Sequence, residues 1–224
     1  MNIKQIQEAV NKTAFIELNA EVDNQKLLKE YKAVEEKYGF ENYRTNYWPV
    51  RRKYAKAWSG ICLVSSDGGL FSDLYEGPQA ASKSTGLEPM CPYFYQLIKE
   101  LGGEGCRARI MKISPHESLV WHSHVQEHGQ PEWSLTCQVP IVVPRKFEYC
   151  VVHKDEFKWY KRFYRPSWFK NIERKRLRTG KAYIFNSYHY HNVYNYSDKD
   201  RIALMLYLDL RNPKVRNLIE RSLV

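Results

Sequence analysis

The sequence predicts a mainly β fold of the α+β class, an antiparallel sandwich or barrel with N-terminal helices packed on its sheet. Two observations predict it. Apolar residues recur with a helical period of about 3.6 up to residue 101, and with the two-residue period of strands afterwards. Hydrophobic residues make up 43% of the 224 residues, which suffices to bury a core and excludes a wholly disordered chain.

Two helices are predicted before the strands. Residues 25–38 carry one apolar stripe that ends at Gly39, and Asp23 or Asn24 can cap their first turn. Residues 92–101 repeat the same spacing and stop at a pair of glycines. Both helices are therefore expected to pack an apolar face on the sheet.

The strands are predicted from alternating apolar residues. Residues 43–90, rich in Tyr, Ser, Gly and Pro, are expected to be irregular with short strands. Strand candidates follow at 135–143, 147–153, 181–186 and 201–210. In the last of these, Ile and Leu form one face and Arg201 opens the other.

Charge and cysteine content narrow the classes of partner and compartment. The chain has 35 Lys and Arg against 25 Asp and Glu, a net charge of +10 that favours anionic partners. The five cysteines form no C-x-x-C pair and are interpreted as buried thiols in a reducing compartment. With no secretory signal and no apolar run near the ~18 residues of a membrane span, we expect a cytoplasmic protein.

Histidines are concentrated in two short stretches. Four of the seven lie between His116 and His128, and two more are His189 and His191. In a strand, residues i and i+2 point to the same face, so His122 and His124 could aim at one point inside a barrel. A third histidine from a neighbouring strand would complete a facial metal site of the kind found in non-haem Fe(II) oxygenases. The alternatives are a histidine-rich surface loop or satisfied core histidines.

Arg201 follows His191 by ten residues. A buried arginine requires an anion, and its planar fork matches a carboxylate in a bidentate way. One strand could therefore carry a metal ligand at its approach and a carboxylate clamp at its start. A structural salt bridge or a solvated edge arginine is the alternative interpretation.

These residues lie within a longer pattern. It comprises Trp121-His122-Ser123-His124, Gln138-Val139-Pro140-Ile141, Gly180–Asn186 and His191–Asp198, followed by Arg201. Over roughly residues 90–212 the pattern resembles the aspartyl/asparaginyl β-hydroxylase family, a branch of the Fe(II)/2-oxoglutarate dioxygenases. Free-proline hydroxylases share the same pattern. The resemblance implies a double-stranded β-helix (jelly roll, cupin-like). Residues 1–90 would support a catalytic domain of residues 91–224, within one structural unit.

The resemblance also implies roles for individual residues. His122 and His191 would be metal ligands, and Arg201 would bind the distal carboxylate of 2-oxoglutarate. Two residues after its first histidine the family has Asp or Gly, whereas this sequence has His124. His124 could be a third neutral ligand, or it could swing away and leave water. The ligand could also come from the following loop, which contains Glu127, His128 and Glu132.

A second departure is Gln138, which stands where the family often has a histidine that holds the C1 carboxylate of 2-oxoglutarate. Gln138 can donate a neutral hydrogen bond there. The implied reaction consumes O₂ and 2-oxoglutarate, hydroxylates an unactivated C–H bond and releases succinate and CO₂. Halogenation or another radical outcome stays open, and so does a cupin-type three-histidine oxygenase without 2-oxoglutarate.

A basic aromatic insert lies at about 155–178. Its window 158–178 holds nine Lys and Arg, six aromatic residues and one Glu. Such a segment could stack bases and neutralise phosphates, or steer an anionic substrate towards the metal. It could also be a hairpin with a solvated basic face, and a non-enzymatic nucleic-acid-binding β-sandwich is a further alternative. Free amino acid, peptide side chain and nucleic acid all remain possible substrates, and no signal indicates the oligomeric state.

Overall fold

The computed structural model describes residues 1–42, 57–72, 83–124, 133–158 and 166–223. Within these ranges the helices are α1 (Ile3–Asn11), α2 (Asn24–Tyr38), α3 (Pro92–Glu100) and α4 (Pro213–Ser222). The first strands are β1 (Phe15–Leu18), β2 (Glu41–Asn42), β3 (Trp58–Ser65), β4 (Lys83–Ser84), β5 (Ala108–Ile113) and β6 (Ser134–Val142). The later strands are β7 (Phe147–Val152), β8 (Ile172–Lys175), β9 (Ala182–Phe185), β10 (Tyr190–Asn195) and β11 (Arg201–Asp209).

The strands form two antiparallel sheets. The larger sheet has the order β1-β9-β6-β11-β5-β3-β2, with β4 also paired to β3. The smaller sheet has the order β10-β7-β8. The non-consecutive neighbours in both sheets are the crossovers of a jelly roll, so the predicted mainly β fold is confirmed.

Alternation along the strands divides the core into two layers. On β11, the residues from Ile202 to Leu208 at even positions pack with the helices on the outer face of the large sheet. Met205 instead packs in a cluster between the sheets with Met111, Tyr149 and Val193. Because β11 is buried on both faces, its inward positions can carry polar groups only where these are hydrogen bonded or serve a ligand.

The two predicted helices and the four predicted strands are confirmed, with ends that differ by one or two residues. Asp23 caps α2, since its carboxylate accepts hydrogen bonds from the backbone of Gln25 and Lys26 at 3.0 and 3.1 Å. Two helices were not predicted. Helix α1 starts with a capping box at Asn2, and Asn212 caps α4.

Strand β3 lies in the range for which irregular structure with short strands was expected, but its position and its length of eight residues were not predicted. All eight residues from Trp58 to Ser65 are buried. A strand buried on both faces lacks the apolar–polar alternation by which it would be recognised. The flanking ranges 43–56 and 73–82 lie outside the described residues. No helix in the described ranges has the length and apolar character required to cross a bilayer.

Candidate active site

Three histidines converge between the sheets. His122, His124 and His191 are 3%, 6% and 3% exposed. One ring nitrogen from each lies within 4.8 Å of the others. Within the described residues the group contains three imidazoles and no carboxylate. Their convergence is the arrangement expected of metal ligands.

Backbone pairing holds two distant segments together at this point. The amide of His122 donates to the carbonyl of His191 at 3.2 Å, and the amide of His191 donates back at 2.9 Å. The amide of His124 donates to the carbonyl of Ser187 at 3.0 Å. His122 therefore lies in an isolated β-bridge and not in the regular strand on which the i, i+2 argument relied.

The hydrogen bonds at the far side of two rings define their tautomers. Nδ1 of His122 lies 2.9 Å from the carbonyl of Val120, and Nδ1 of His191 lies 3.0 Å from the carbonyl of His189. A carbonyl only accepts, so each Nδ1 carries the proton. In the neutral ring the lone pair is then on Nε2, the atom available to ligate a metal.

Thr136 defines the tautomer of the third ring, which belongs to His124. Its hydroxyl donates to Oγ of Ser187 at 3.2 Å, which leaves Oγ1 as the acceptor for Nδ1 of His124, also at 3.2 Å. His124 is thus held in the Nδ1–H tautomer by a side chain on β6. All three imidazoles consequently present Nε2 in the ligating form.

The inward residues of the large sheet form levels below the histidines. Thr136 pairs with Phe185 on β9 and with Tyr207 on β11. The ring of His124 lies 6.0 Å from that of Phe185 and 6.3 Å from that of Tyr207, so the histidines lie over this level. The next inward level contains Gln138, which lies two residues, or about 6.8 Å, further along β6.

The guanidinium of Arg201 lies at this second level. Arg201 is buried, with 2% of its surface exposed. Its Nη2 donates to Oε1 of Gln138 and to the hydroxyl of Tyr149, and the Tyr149 hydroxyl donates to the same Gln138 oxygen. The rings of Phe147 and Tyr149 flank Cζ of Arg201 at 5.3 and 5.2 Å. The buried Nε has no hydrogen-bond partner in the described part of the chain.

Among the residues that the structure describes, no anionic side chain neutralises the charge of this guanidinium. No carboxylate of the described ranges forms an ion pair with Arg201. Burial lowers the pKa of Arg201, and Tyr149 partly opposes that effect. Burial raises the pKa of Tyr149 to about 12, so its hydroxyl is protonated near neutral pH. A buried cation with a spare donor is an anion-binding group.

A second basic group on the inward face was not identified from the sequence. Arg107 and Arg109 are 5% and 1% exposed, and their guanidiniums lie 4.8 and 5.9 Å from the ring of Tyr207. Burial raises the pKa of Tyr207, but the two guanidiniums outweigh it and the net shift is downward. The Arg-x-Arg spacing, which places both side chains on one face of a strand, is the signal that could have found them.

A cavity of about 230 Å³ opens between residues 11–14, which connect α1 to β1, and the edge strand β8. Val151 lines it and pairs across the small sheet with His191 on one side and Glu173 on the other. His153 and His189 also line it, with ring centroids 4.3 Å apart. The cavity therefore adjoins the strand that carries one of the three converging histidines.

The residues present fit a divalent first-row metal. Ligand distances of about 2.0–2.1 Å require nitrogens no more than about 4.2 Å apart, which small ring rotations reach from the observed cluster. Imidazole suits Fe, Zn, Cu and Ni equally, so the donors alone do not select iron. The alternative ligands Glu127, His128 and Glu132 lie outside the described residues.

The basic aromatic insert is partly described, since residues 159–165 lie outside the described ranges. Phe169 is buried, with its ring 4.8 Å from that of Trp121, and Leu177 is buried between the sheets. Trp168 is 61% exposed. At these positions the insert packs on the small sheet.

Several cations of the insert already have protein partners. Arg178 lies 3.1 Å from Glu17, and Arg174 lies 3.8 Å from Glu148. Nζ of Lys175 lies 5.6 Å from the ring of Phe15 and 5.4 Å from that of Tyr183. These contacts do not support the nucleic-acid partner considered for this segment.

Comparison with known proteins assigns the family. The model of the aspartyl/asparaginyl β-hydroxylase family matches residues 21–213. The search of curated proteins found no match. Among solved structures, a 2OG-Fe(II) oxygenase family oxidoreductase from Burkholderia pseudomallei is 12% identical with a TM-score of 0.56, over 93% of this chain and 91% of that one.

Two further structures share the fold. The α-ketoglutarate-dependent carbocyclase SnoK from nogalamycin biosynthesis is 12% identical with a TM-score of 0.53, over 93% of this chain and 86% of that one. HygX from Streptomyces hygroscopicus, solved with nickel and 2-oxoglutarate bound, is 8% identical with a TM-score of 0.53, over 91% and 85%. With its family model matched over most of its length, the chain belongs to the aspartyl/asparaginyl β-hydroxylase family.

Proposed function

We propose that the protein is an Fe(II)- and 2-oxoglutarate-dependent dioxygenase that hydroxylates an unactivated C–H bond. His122, His124 and His191 would ligate the iron, and Arg201 and Gln138 would bind 2-oxoglutarate. One observation carries the proposal: a buried guanidinium with a spare donor lies one strand level from three converging imidazoles. That is the arrangement that a keto acid needs, with a chelating head at one end and a carboxylate at the other.

The spacing supports a five-carbon dicarboxylate. The level of Thr136, below the histidines, and the level of Gln138, beside Arg201, are about 6.8 Å apart along β6. This separation is comparable with the length of an extended five-carbon diacid. The carbonyl of Gln138 faces Arg201, so Nε2 is the Gln138 atom that would donate to the co-substrate.

The residues of the chain would bind and orient the iron and 2-oxoglutarate, and they would exclude water from the pocket. The bound iron supplies the coupling of O₂ reduction to the decarboxylation of 2-oxoglutarate, which yields succinate and CO₂. The Nδ1 hydrogen bonds hold the three rings in ligating orientation. Phe185, whose ring lies 4.8 Å from that of His191, helps to keep the pocket dry.

A small-molecule substrate is proposed. HygX and the epimerase SnoN were solved with hygromycin B and with nogalamycin RO, which makes small molecules the known ligands of two similar structures. The cavity between residues 11–14 and β8 is a route to the strand of His191 for such a molecule. We also propose that residues 1–90 support the catalytic residues 91–224, because β1 to β4 extend the large sheet.

Anaerobic titration with Fe(II) and 2-oxoglutarate tests the proposal. A weak visible metal-to-ligand absorption band is expected in the wild type and is expected to be absent in His191→Ala. The matched control is His116→Ala, because His116 is exposed and pairs with Asp198 at 2.7 Å, away from the cluster. Absence of the band in the wild type, together with no succinate formation, would rule the proposal out.

A second candidate is a three-histidine metal oxygenase that uses no 2-oxoglutarate. The observation that favours it is His124, which makes the ligand set three neutral imidazoles. This candidate predicts oxygen consumption that is independent of added 2-oxoglutarate and insensitive to Arg201→Ala. The two candidates are therefore separated by the co-substrate dependence of oxygen uptake.

A further inference from the structure

Tyr149 was not among the predicted site residues, yet it lies at the centre of the Arg201 cluster. It is on β7 of the small sheet, across the barrel from Gln138 on β6, and is 1% exposed. Its hydroxyl contacts both the guanidinium of Arg201 and the amide oxygen of Gln138. Tyr149 thus joins the two sheets at the point where the co-substrate is proposed to end.

The oxygen of Gln138 marks a position between two donors. Oε1 accepts from Nη2 of Arg201 and from the hydroxyl of Tyr149. A carboxylate oxygen in the same position offers the same acceptor to both donors, with a full negative charge. Hydrogen bonds to charged groups are stronger than those to a neutral amide, so a carboxylate would displace the amide oxygen of Gln138.

From this we infer that the Tyr149 hydroxyl is the second donor to the distal carboxylate of 2-oxoglutarate and that it orients the Arg201 guanidinium. The inference rests on the proposed function. It makes Tyr149 a specificity residue, because the hydroxyl and the guanidinium together recognise a dicarboxylate. A keto acid without the distal carboxylate gains nothing from either group.

The packing of the Tyr149 ring can be separated from the role of its hydroxyl. The ring of Tyr149 already fills its space, 5.5 Å from Phe147 and 6.2 Å from Phe15. Phenylalanine would preserve those ring contacts and remove only the donor. A hydroxyl that served the fold alone would change the affinity for every keto acid equally or for none.

The test compares two keto acids on the Ni(II)-loaded protein by calorimetry. 2-Oxoglutarate and 2-oxobutyrate share the chelating head and differ in the distal carboxylate. In Tyr149→Phe we expect 2-oxoglutarate to bind at least tenfold more weakly, with 2-oxobutyrate unchanged. Loss of one hydrogen bond to a charged group accounts for a change of this size.

Tyr183→Phe is the matched control, since Tyr183 is also buried between the sheets but its hydroxyl accepts from the backbone of Arg178 at 3.3 Å. It is expected to retain wild-type affinity for both acids. Equal 2-oxoglutarate affinity in Tyr149→Phe and wild type would overturn the inference. If the wild type itself does not discriminate between the two acids, the proposed function fails as well. Melting curves of both variants confirm that each is folded.

Discussion

His122 and His191 are 69 positions apart in the chain, yet each donates its backbone amide to the other's carbonyl. Their ring centroids lie 4.2 Å apart. The pairing fixes both Cα positions through the backbone, so the two rings converge without relying on side-chain packing alone. A metal bound between them would therefore meet ligands that are already in place.

Removal of His191 is expected to abolish tight metal binding. His191→Ala deletes one of three nitrogens, and we expect the Fe(II) or Ni(II) content after dialysis to fall at least tenfold. Metal analysis of the purified protein measures this. His153→Ala, which changes an exposed histidine, serves as the control and is expected to retain its metal.

Thr136 holds His124 in its ligating tautomer and should affect the metal without touching it. Thr136→Val removes the acceptor for Nδ1, and we expect a 10–100-fold loss of metal affinity. Thr85→Val is the control, because that hydroxyl bonds the Leu63 carbonyl at 3.0 Å. Wild-type metal affinity in Thr136→Val would contradict the role of Thr136 in holding His124 for the metal.

Arg201 is expected to contribute nothing to the free energy of unfolding, or to lower it, while it binds 2-oxoglutarate. Arg201→Met replaces an unneutralised buried charge by an apolar chain, so the free energy of unfolding should stay equal or rise by about 1 kcal/mol. The KM for 2-oxoglutarate should rise at least tenfold in the same variant. Urea unfolding and succinate assays test the two expectations separately, and a large loss of stability would contradict the first.

Tyr149 is expected to make the free energy of unfolding fall at alkaline pH. Burial raises its pKa to about 12, above the value of about 10 in the unfolded chain. The stabilisation is therefore complete below pH 10 and is lost as the pH rises from about 10 through about 12. Phenylalanine has no proton to lose, so Tyr149→Phe should lack this loss. Between pH 10 and 12 its free energy of unfolding should rise relative to that of the wild type by up to about 3 kcal/mol. Denaturant unfolding of both proteins at pH 8 and pH 11 measures this. The same difference in free energy of unfolding between variant and wild type at both pH values would contradict the prediction.

The insert is expected to stabilise the fold through Phe169. Phe169→Ala should lower the free energy of unfolding by about 3–5 kcal/mol, because its buried ring packs on Trp121. Trp168→Ala, one residue earlier and 61% exposed, should change it by less than about 0.5 kcal/mol. Denaturant curves of the two variants make the comparison, and equal effects would argue against the packing role.

Local signals were sufficient for some of the elements and not for others. Helix α2 and strand β11 have regular apolar periods, and both were predicted nearly to their ends. Strand β3 was missed because burial on both faces removes alternation. Arg107 was missed although the Arg-x-Arg spacing places it on the same strand face as Arg109. Tyr149 was missed because its predicted strand does not show which polar groups of the facing sheet it meets.

Chain order alone determined the periods of helix and strand, the clustering of histidines and the spacing of Arg201 from His191. These features are local or lie within a dozen residues, so the chain records them directly. Tertiary structure decided which polar groups meet: His124 with Thr136, and Arg201 with Gln138 and Tyr149. The members of each pair lie on different segments of the chain, and only antiparallel register and the facing of two sheets bring them within hydrogen-bond distance.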